Sequence, residues 1–208
     1  MNKREYMQQA IRHQESGKVP YCIHLTGEGM EAYGDQLMQD YYNADVQEDY
    51  RKGLITKDQA VYLSMGNYMI PVPTAWWGWD YDHMPASYAD PDEAPAEMPP
   101  IVKTGAQAKF TEQARYIREK YGVYIGCLIF GSHWEKAYFT RGIENFLADI
   151  AGFPEFAQQL LDFIIAHNME MLKDTVACPY YDGILLGSDW GTQNDLIMSP
   201  KAWHAMIQ

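Results

Sequence analysis

Positive charge is scarce in this chain: 16 Lys and Arg stand against 28 Asp and Glu, a formal charge of -12 at pH 7. A surface of that sign repels phosphate backbones and anionic lipid, which argues against nucleic acid or a membrane surface as partner. Long apolar runs are missing too. Nothing approaches the roughly 20 consecutive apolar residues of a membrane span, and Met1-Asn2-Lys3-Arg4-Glu5-Tyr6 lacks the apolar stretch of a secretory signal, so a cytoplasmic location is expected. Cysteine is limited to Cys22, Cys127 and Cys178, far apart and odd in number, the first two inside apolar runs where a thiol behaves as a small hydrophobe. There is no Cys-x-x-Cys, no His-Glu-x-x-His, no internal repeat and no low-complexity tract.

What is present suits a buried core. Across 208 residues, 47% are apolar, with 16 Tyr and 6 Trp, enough for one domain spanning residues 1–208. Asn2 is placed to cap a helix through His13 with Tyr6, Met7, Ala10 and Ile11 on one face, and Gly17 and Pro20 follow. Val19 to Leu25 reads as a strand, then Met30, Tyr33, Leu37, Met38 and Tyr41 mark an amphipathic helix. A short helix over 58–65 and a strand over 68–72 come next. Residues 73–100 hold seven prolines, counting Pro71 just before them, around Trp76-Trp77-Gly78-Trp79-Asp80-Tyr81-Asp82-His83, the composition of a lid or binding loop. Thr104 and Gln107 form a capping-box pattern ahead of Phe110, Ala114, Ile117 and Tyr121; Gly122 stops that helix, and 123–130 reads as a central strand. Helices over 143–150 and 154–173, a strand over 184–187, and a capped helix at Ser199-Pro200 complete the pattern. Strands alternating with helical segments imply right-handed crossovers onto a parallel sheet.

In such a sheet the polar residues that end each apolar run share one rim. That reading gathers His24 with Thr26 and Glu28, His133 with Ser132, and Asp189 with Gln193. A carboxylate there, ringed by Trp and Tyr, suits a ligand N–H or a proton transfer, with an imidazole as the partner acid or base. Asp189 and His133 are the candidate catalytic groups; His24, Glu28, Trp77, Trp79, Asp80, Trp134 and Gln193 are candidate binding residues. Each has a structural alternative: Asp189 as a turn cap, His24 and His167 as hydrogen-bonded core histidines, the tryptophans as a lid packed on itself. Asp80-Tyr81-Asp82-His83 has no distant partner and does not read as a metal site.

Gly187-Ser188-Asp189-Trp190-Gly191-Thr192-Gln193 followed by Met198-Ser199-Pro200-Lys201-Ala202-Trp203 resembles the uroporphyrinogen decarboxylase superfamily, which includes cobalamin-dependent methyltransferases. The helix from Arg4 to His13 leading to Val19-Pro20, the Gly78-Trp79-Asp80 loop, and the segment from Arg141 to Asp149 ahead of Pro154-Glu155 fall in the order that family shows. The resemblance implies a (β/α)8 TIM barrel with its ligand at the strand carboxyl ends, and a chain that looks like the N-terminal part of a longer member. Decarboxylases of the family carry an Arg-rich segment after the first strand, whereas here the sequence is His24-Leu25-Thr26-Gly27-Glu28-Gly29-Met30; with no guanidinium clamp for a polycarboxylate, the methyltransferase branch fits better. That branch implies a zinc with ligands expected beyond residue 208, a methylcorrinoid as substrate or partner cofactor, a corrinoid protein as partner, and a small-molecule methyl donor or a tetrapyrrole. A homo-oligomer or a complementary fragment would cover the sheet edge left open. The alternatives are a porphyrinogen decarboxylase, a non-catalytic ligand-binding or assembly subunit, and a glycosidase, since Trp platforms and paired carboxylates also suit sugars.

Overall fold

A computed structural model describes residues 1–74, 107–129 and 133–207. The expected lid at 73–100, with Trp77, Trp79 and Asp80, falls almost wholly outside these residues, as do Thr104 and Ser132. Nine helices and three strands lie within them: α1 (Lys3–Ile11), α2 (Gly27–Asp40), α3 (Ala44–Arg51), α4 (Lys57–Ser64), β1 (Met69–Pro71), α5 (Gln107–Tyr121), β2 (Tyr124–Ile129), α6 (His133–Arg141), α7 (Ile143–Gly152), α8 (Pro154–Val176), β3 (Gly183–Leu186) and α9 (Pro200–Met206). The class is mixed α/β with helical crossovers and a parallel three-stranded sheet in the order β1-β2-β3, β1 pairing β2 with Ile70 opposite Ile125. A closed eight-stranded barrel is not part of the described structure. Among the described residues no helix is long and apolar enough to cross a membrane.

The described residues divide into two compact units, one of residues 1–74, 107–128 and 178–184, the other of residues 129, 133–177 and 185–207. In the first, Asn2 caps α1 as its position suggests: its side-chain oxygen accepts the Glu5 N–H at 2.9 Å while the Glu5 carboxylate accepts the Asn2 N–H at 2.8 Å. The core forms where Ile70 and Val72 meet Val123 and Ile125, covered by Ala60 and Val61 of α4 and Ala114 and Ile117 of α5, all without solvent exposure. Burial on both faces explains the continuous apolar reading of β2. The Asp182 carboxylate stitches this unit together, accepting from Arg4 Nε at 2.7 Å and from the Ile125 N–H at 3.0 Å.

The expected strand from Val19 to Leu25 is not one. Pro20 has no N–H to give a ladder, and Val19 is 87% exposed. The segment runs extended beside Asn67 and Tyr68, with the Tyr68 N–H donating to the Tyr21 carbonyl at 3.0 Å. The amphipathic face expected of α2 is narrower than its spacing implies: Met30 and Met38 are buried, Tyr33 and Tyr41 exposed.

In the second unit α6, α7 and α8 bury Trp134, Ala137, Phe146, Phe156, Leu160, Leu161 and Ile164 in one cluster. Pro154 opens α8 at its first turn, and of the stripe Phe156, Leu160, Phe163, Ile164, His167 and Met171 that its periodicity predicts to be buried, all are except Phe163, which is half-buried. Gly142 turns α6 into α7 at φ +81°, a region L side chains rarely adopt. Across that turn the Arg141 guanidinium grips the Asp149 carboxylate through Nε at 2.6 Å and Nη2 at 3.1 Å. The segment from Arg141 to Asp149, one of those behind the family resemblance, therefore has a structural task of its own.

Candidate functional site

Within the first unit, a cavity of about 510 Å³ opens where β1 and β2 end, lined by Thr56, Lys57, Asp58, Gln59, Pro71, Val72, Pro73 and Leu128. The chain reaches this place because α4 runs back along β1, so that its N-terminus stands beside the strand's carboxyl end. Thr56 and Gln59 close a capping box there. Gln59, only 2% exposed, donates to the Pro71 carbonyl at 3.0 Å and is pinned by it. Lys57 pairs with Asp35 at 2.8 Å, and hydrogen bonding to that carboxylate holds its ammonium above the ordinary lysine value. None of the residues singled out from the sequence lines this cavity. Sequence reading missed it because the run from Thr56 to Gln59 carries the signature of a helix start and nothing more.

His24 and Glu28 also belong to the first unit. Glu28 is exposed in the first turn of α2, where hydrogen bonds from its own N–H and from Thr26 hold its carboxyl below the ordinary range. His24 is exposed, its Nε2 3.1 Å from Cys22 Sγ and its ring edge-on to Tyr62 at 5.2 Å. A hydrogen-bonded core histidine is thus not what His24 is, whereas His167 is: 5% exposed, with Nδ1 2.9 Å from the Phe163 carbonyl.

The second unit brings together His133, Trp134 and Asp189 around a residue not singled out, Trp190. The His133 and Trp190 rings lie 6.2 Å apart, and Trp134 stacks on Trp190 at 5.6 Å. Trp134 has no exposure, and its indole N–H donates to the Asp189 carbonyl at 3.1 Å, so the Trp134 ring packs in the core while its polar edge anchors the turn after β3. Burial pushes the His133 imidazole below its ordinary value, against a backbone hydrogen bond with Ile207, and its Nε2 is buried with no hydrogen-bond partner among the described residues. Its place as the first residue of α6 works the same way, since a helix N-terminus disfavours a cation. A neutral imidazole with an unused ring nitrogen is equipped to accept a hydrogen bond or a proton.

Asp189 is exposed, and its carboxylate accepts the Gly191 N–H at 3.2 Å, the local turn contact weighed against a catalytic role. Gln193 is exposed in the tight turn where the Asp195 carbonyl accepts the Thr192 N–H at 2.7 Å. Beyond that turn Trp190, Leu196, Met198, Pro200 and Trp203 line an apolar cavity of about 270 Å³.

Among the described residues no group of three or more His, Cys, Asp or Glu side chains is arranged to hold a metal ion. The donor set of a zinc centre is therefore not met by the described residues. Trp77, Trp79 and Asp80 lie outside the described residues. No protein-family model, no curated protein and no solved structure matches the chain.

Proposed function

We propose that the chain is a methyl-transferring enzyme of the uroporphyrinogen decarboxylase type, built on a (β/α)8 barrel plan, handling a small methylated molecule with a methylcorrinoid as donor or partner cofactor. The observation that carries this reading is the second unit's gathering of His133 and Asp189, one following β2 and the other β3, around the Trp134–Trp190 stack, since enzymes built from parallel β/α units hold their ligands past the carboxyl ends of their strands. Burial favours the uncharged form of the His133 imidazole, and its Nε2 has no hydrogen-bond partner among the described residues. In this reading His133 is the proton acceptor and Asp189 orients or hydrogen-bonds the polar end of the substrate.

One observation favours a second reading, a non-catalytic ligand-binding subunit. The Asp189 carboxylate already serves the backbone of its own turn. The two readings part in a single assay. The full chain is mixed with methylcobalamin and 2-mercaptoethanesulfonate, with and without added zinc, and demethylation is followed by visible absorbance. Methyl transfer predicts turnover that drops about 100-fold in His133→Gln and in Asp189→Asn, the scale of a lost general base or a misplaced substrate. Saturable spectral binding without turnover would favour the binding subunit, and neither binding nor turnover would end both readings.

A further inference from the structure

One buried amide sets the conformation of the segment from Pro20 to Leu25. Asn67, with no solvent exposure, accepts the Ile23 N–H on Oδ1 at 3.2 Å and donates from Nδ2 to the Ile23 carbonyl at 2.8 Å. This two-point grip does for Ile23 what a neighbouring strand residue does in an antiparallel ladder, where one residue exchanges both bonds with its partner. In extended backbone the residues on either side of Ile23 project to the same side, and Cys22 and His24 do so. Sγ of Cys22 lies 3.1 Å from Nε2 of His24 and 3.5 Å from the Met69 carbonyl. Tyr62 braces the far end, its ring against the His24 imidazole and its hydroxyl accepting the Leu25 N–H at 3.4 Å.

Access separates this thiol from the other two. Cys22 is half-buried beside an exposed imidazole, whereas Cys127 and Cys178 are buried, and burial raises the Cys127 thiol to about 11.

We propose that Cys22 and His24 form a nucleophilic pair that takes an electrophilic alkyl carbon from a small, soft substrate onto the Cys22 sulfur. The proposal stands apart from the methyl-transfer reading, because it concerns neither His133 nor Asp189 and its test needs no corrinoid. Burial holds the Cys22 thiol above its ordinary value, against a backbone hydrogen bond with Met69, so the sulfur is protonated at rest. The proton must therefore move during the reaction. Nε2 of His24, in its Nδ1–H tautomer, removes it as the S–C bond forms; the leaving group departs with the electron pair of the bond it breaks; and the imidazolium returns the proton to water. A thiol of this kind without its base would be a poor nucleophile.

The probe is iodoacetamide, which forms an S–C bond and releases iodide. Intact protein is alkylated and each cysteine followed by peptide mass spectrometry. Cys22 is expected to react faster than Cys127 and Cys178, to lose about ten-fold or more of its rate in His24→Gln, and to react more slowly in D2O than in H2O, the mark of a proton in flight. His24 is exposed, so its replacement is tolerated by the fold, and continued protection of Cys127 and Cys178 verifies this. A His24→Gln rate within two-fold of the parent overturns the proposal. So does a wild-type rate that is equal or higher in D2O, a measurement that holds whatever the variant does.

Discussion

Two buried charges make the sharpest statements at the level of single residues. The Asp182 side chain is 4% exposed, and its partner Arg4 is 26% exposed, so one ion of the pair is desolvated and the other is partly screened. Breaking a fully buried pair costs about 3–5 kcal/mol; with Arg4 in reach of water, Asp182→Asn should cost about 2 kcal/mol in urea unfolding. Arg4→Met should cost less, about 1 kcal/mol, since Arg118 Nη1 still faces the carboxylate at 3.6 Å and the Ile125 N–H still donates to it. Lys136 makes a different prediction. Only 2% exposed and donating to Asn168 Oδ1 at 2.6 Å, it is pushed by burial down to about 7, whereas an unfolded lysine holds its proton to about 10.4. Between those values the unfolded chain binds more protons than the folded one, so this residue makes stability climb with pH across that window and contributes no slope below it. Lys136→Met should flatten the climb, read as urea midpoints at pH 7, 8 and 9. Equal slopes in parent and variant would refute the assignment. Neither residue announced itself in the sequence, because burial of a charge is decided by distant partners: Asp182 lies 178 positions from Arg4.

At the scale of elements, apolar periodicity located α1, α2, α4, α5, α7, α8 and β1 to β3 to within a few residues, the Ser199 cap marked α9, and the two helices that escaped, α3 and α6, share a cause. In α6 the buried positions include Lys136 beside Trp134 and Ala137, and in α3 they include Asp49 beside Val46. A charge on the inward face erases the pattern that would reveal it. Asp49 is kept by the Lys120 ammonium at 2.7 Å and the Tyr116 hydroxyl at 2.9 Å, with Tyr121 completing the cage, none of which is visible locally. The segment from Val19 to Leu25 fails the other way: it has strand composition, yet a side chain of Asn67 replaces the ladder. The α6–α7 corner supplies a test of backbone against packing. A Cβ on Gly142 would find only Asn145 Nδ2, at an ordinary 3.7 Å, so no clash opposes Gly142→Ala, but φ +81° does. The expected loss is about 1–3 kcal/mol. Gly152→Ala, at the end of α7 with nothing within 4 Å, serves as the control and should be neutral or stabilising by about 0.5–1 kcal/mol. Equal losses at the two glycines would show that the turn, and not its dihedral, has been misjudged.

For the molecule as a whole, the sequence made the parallel β/α character legible and left the candidate site only half so. His133 and Asp189 follow strand ends as expected, but the larger cavity is built by α4, which carries no chemical motif to advertise it. Net charge is the global property read most directly, and it has a consequence for stability. With -12 on 208 residues, carboxylates outnumber the cations able to neutralise them, and self-repulsion in the folded state exceeds that in the expanded chain. The pairs that matter most, Arg4–Asp182, Lys120–Asp49 and Arg141–Asp149, each place a carboxylate no more than 4% exposed, where salt screens poorly. The exposed pairs, such as Lys52 with Glu48 and Arg115 with Glu119, contribute little and are the ones that salt dissolves. Raising ionic strength from about 0.01 M to 0.1 M shortens the screening length from about 30 Å to about 10 Å, which weakens the long-range repulsion while leaving the buried pairs in place. Tm should therefore rise over that range and level off above it, by the same amount in sodium and potassium chloride, as followed by circular dichroism. A Tm that falls instead would mean that exposed ion pairs outweigh the excess negative charge, and would overturn the account of which charges hold this fold.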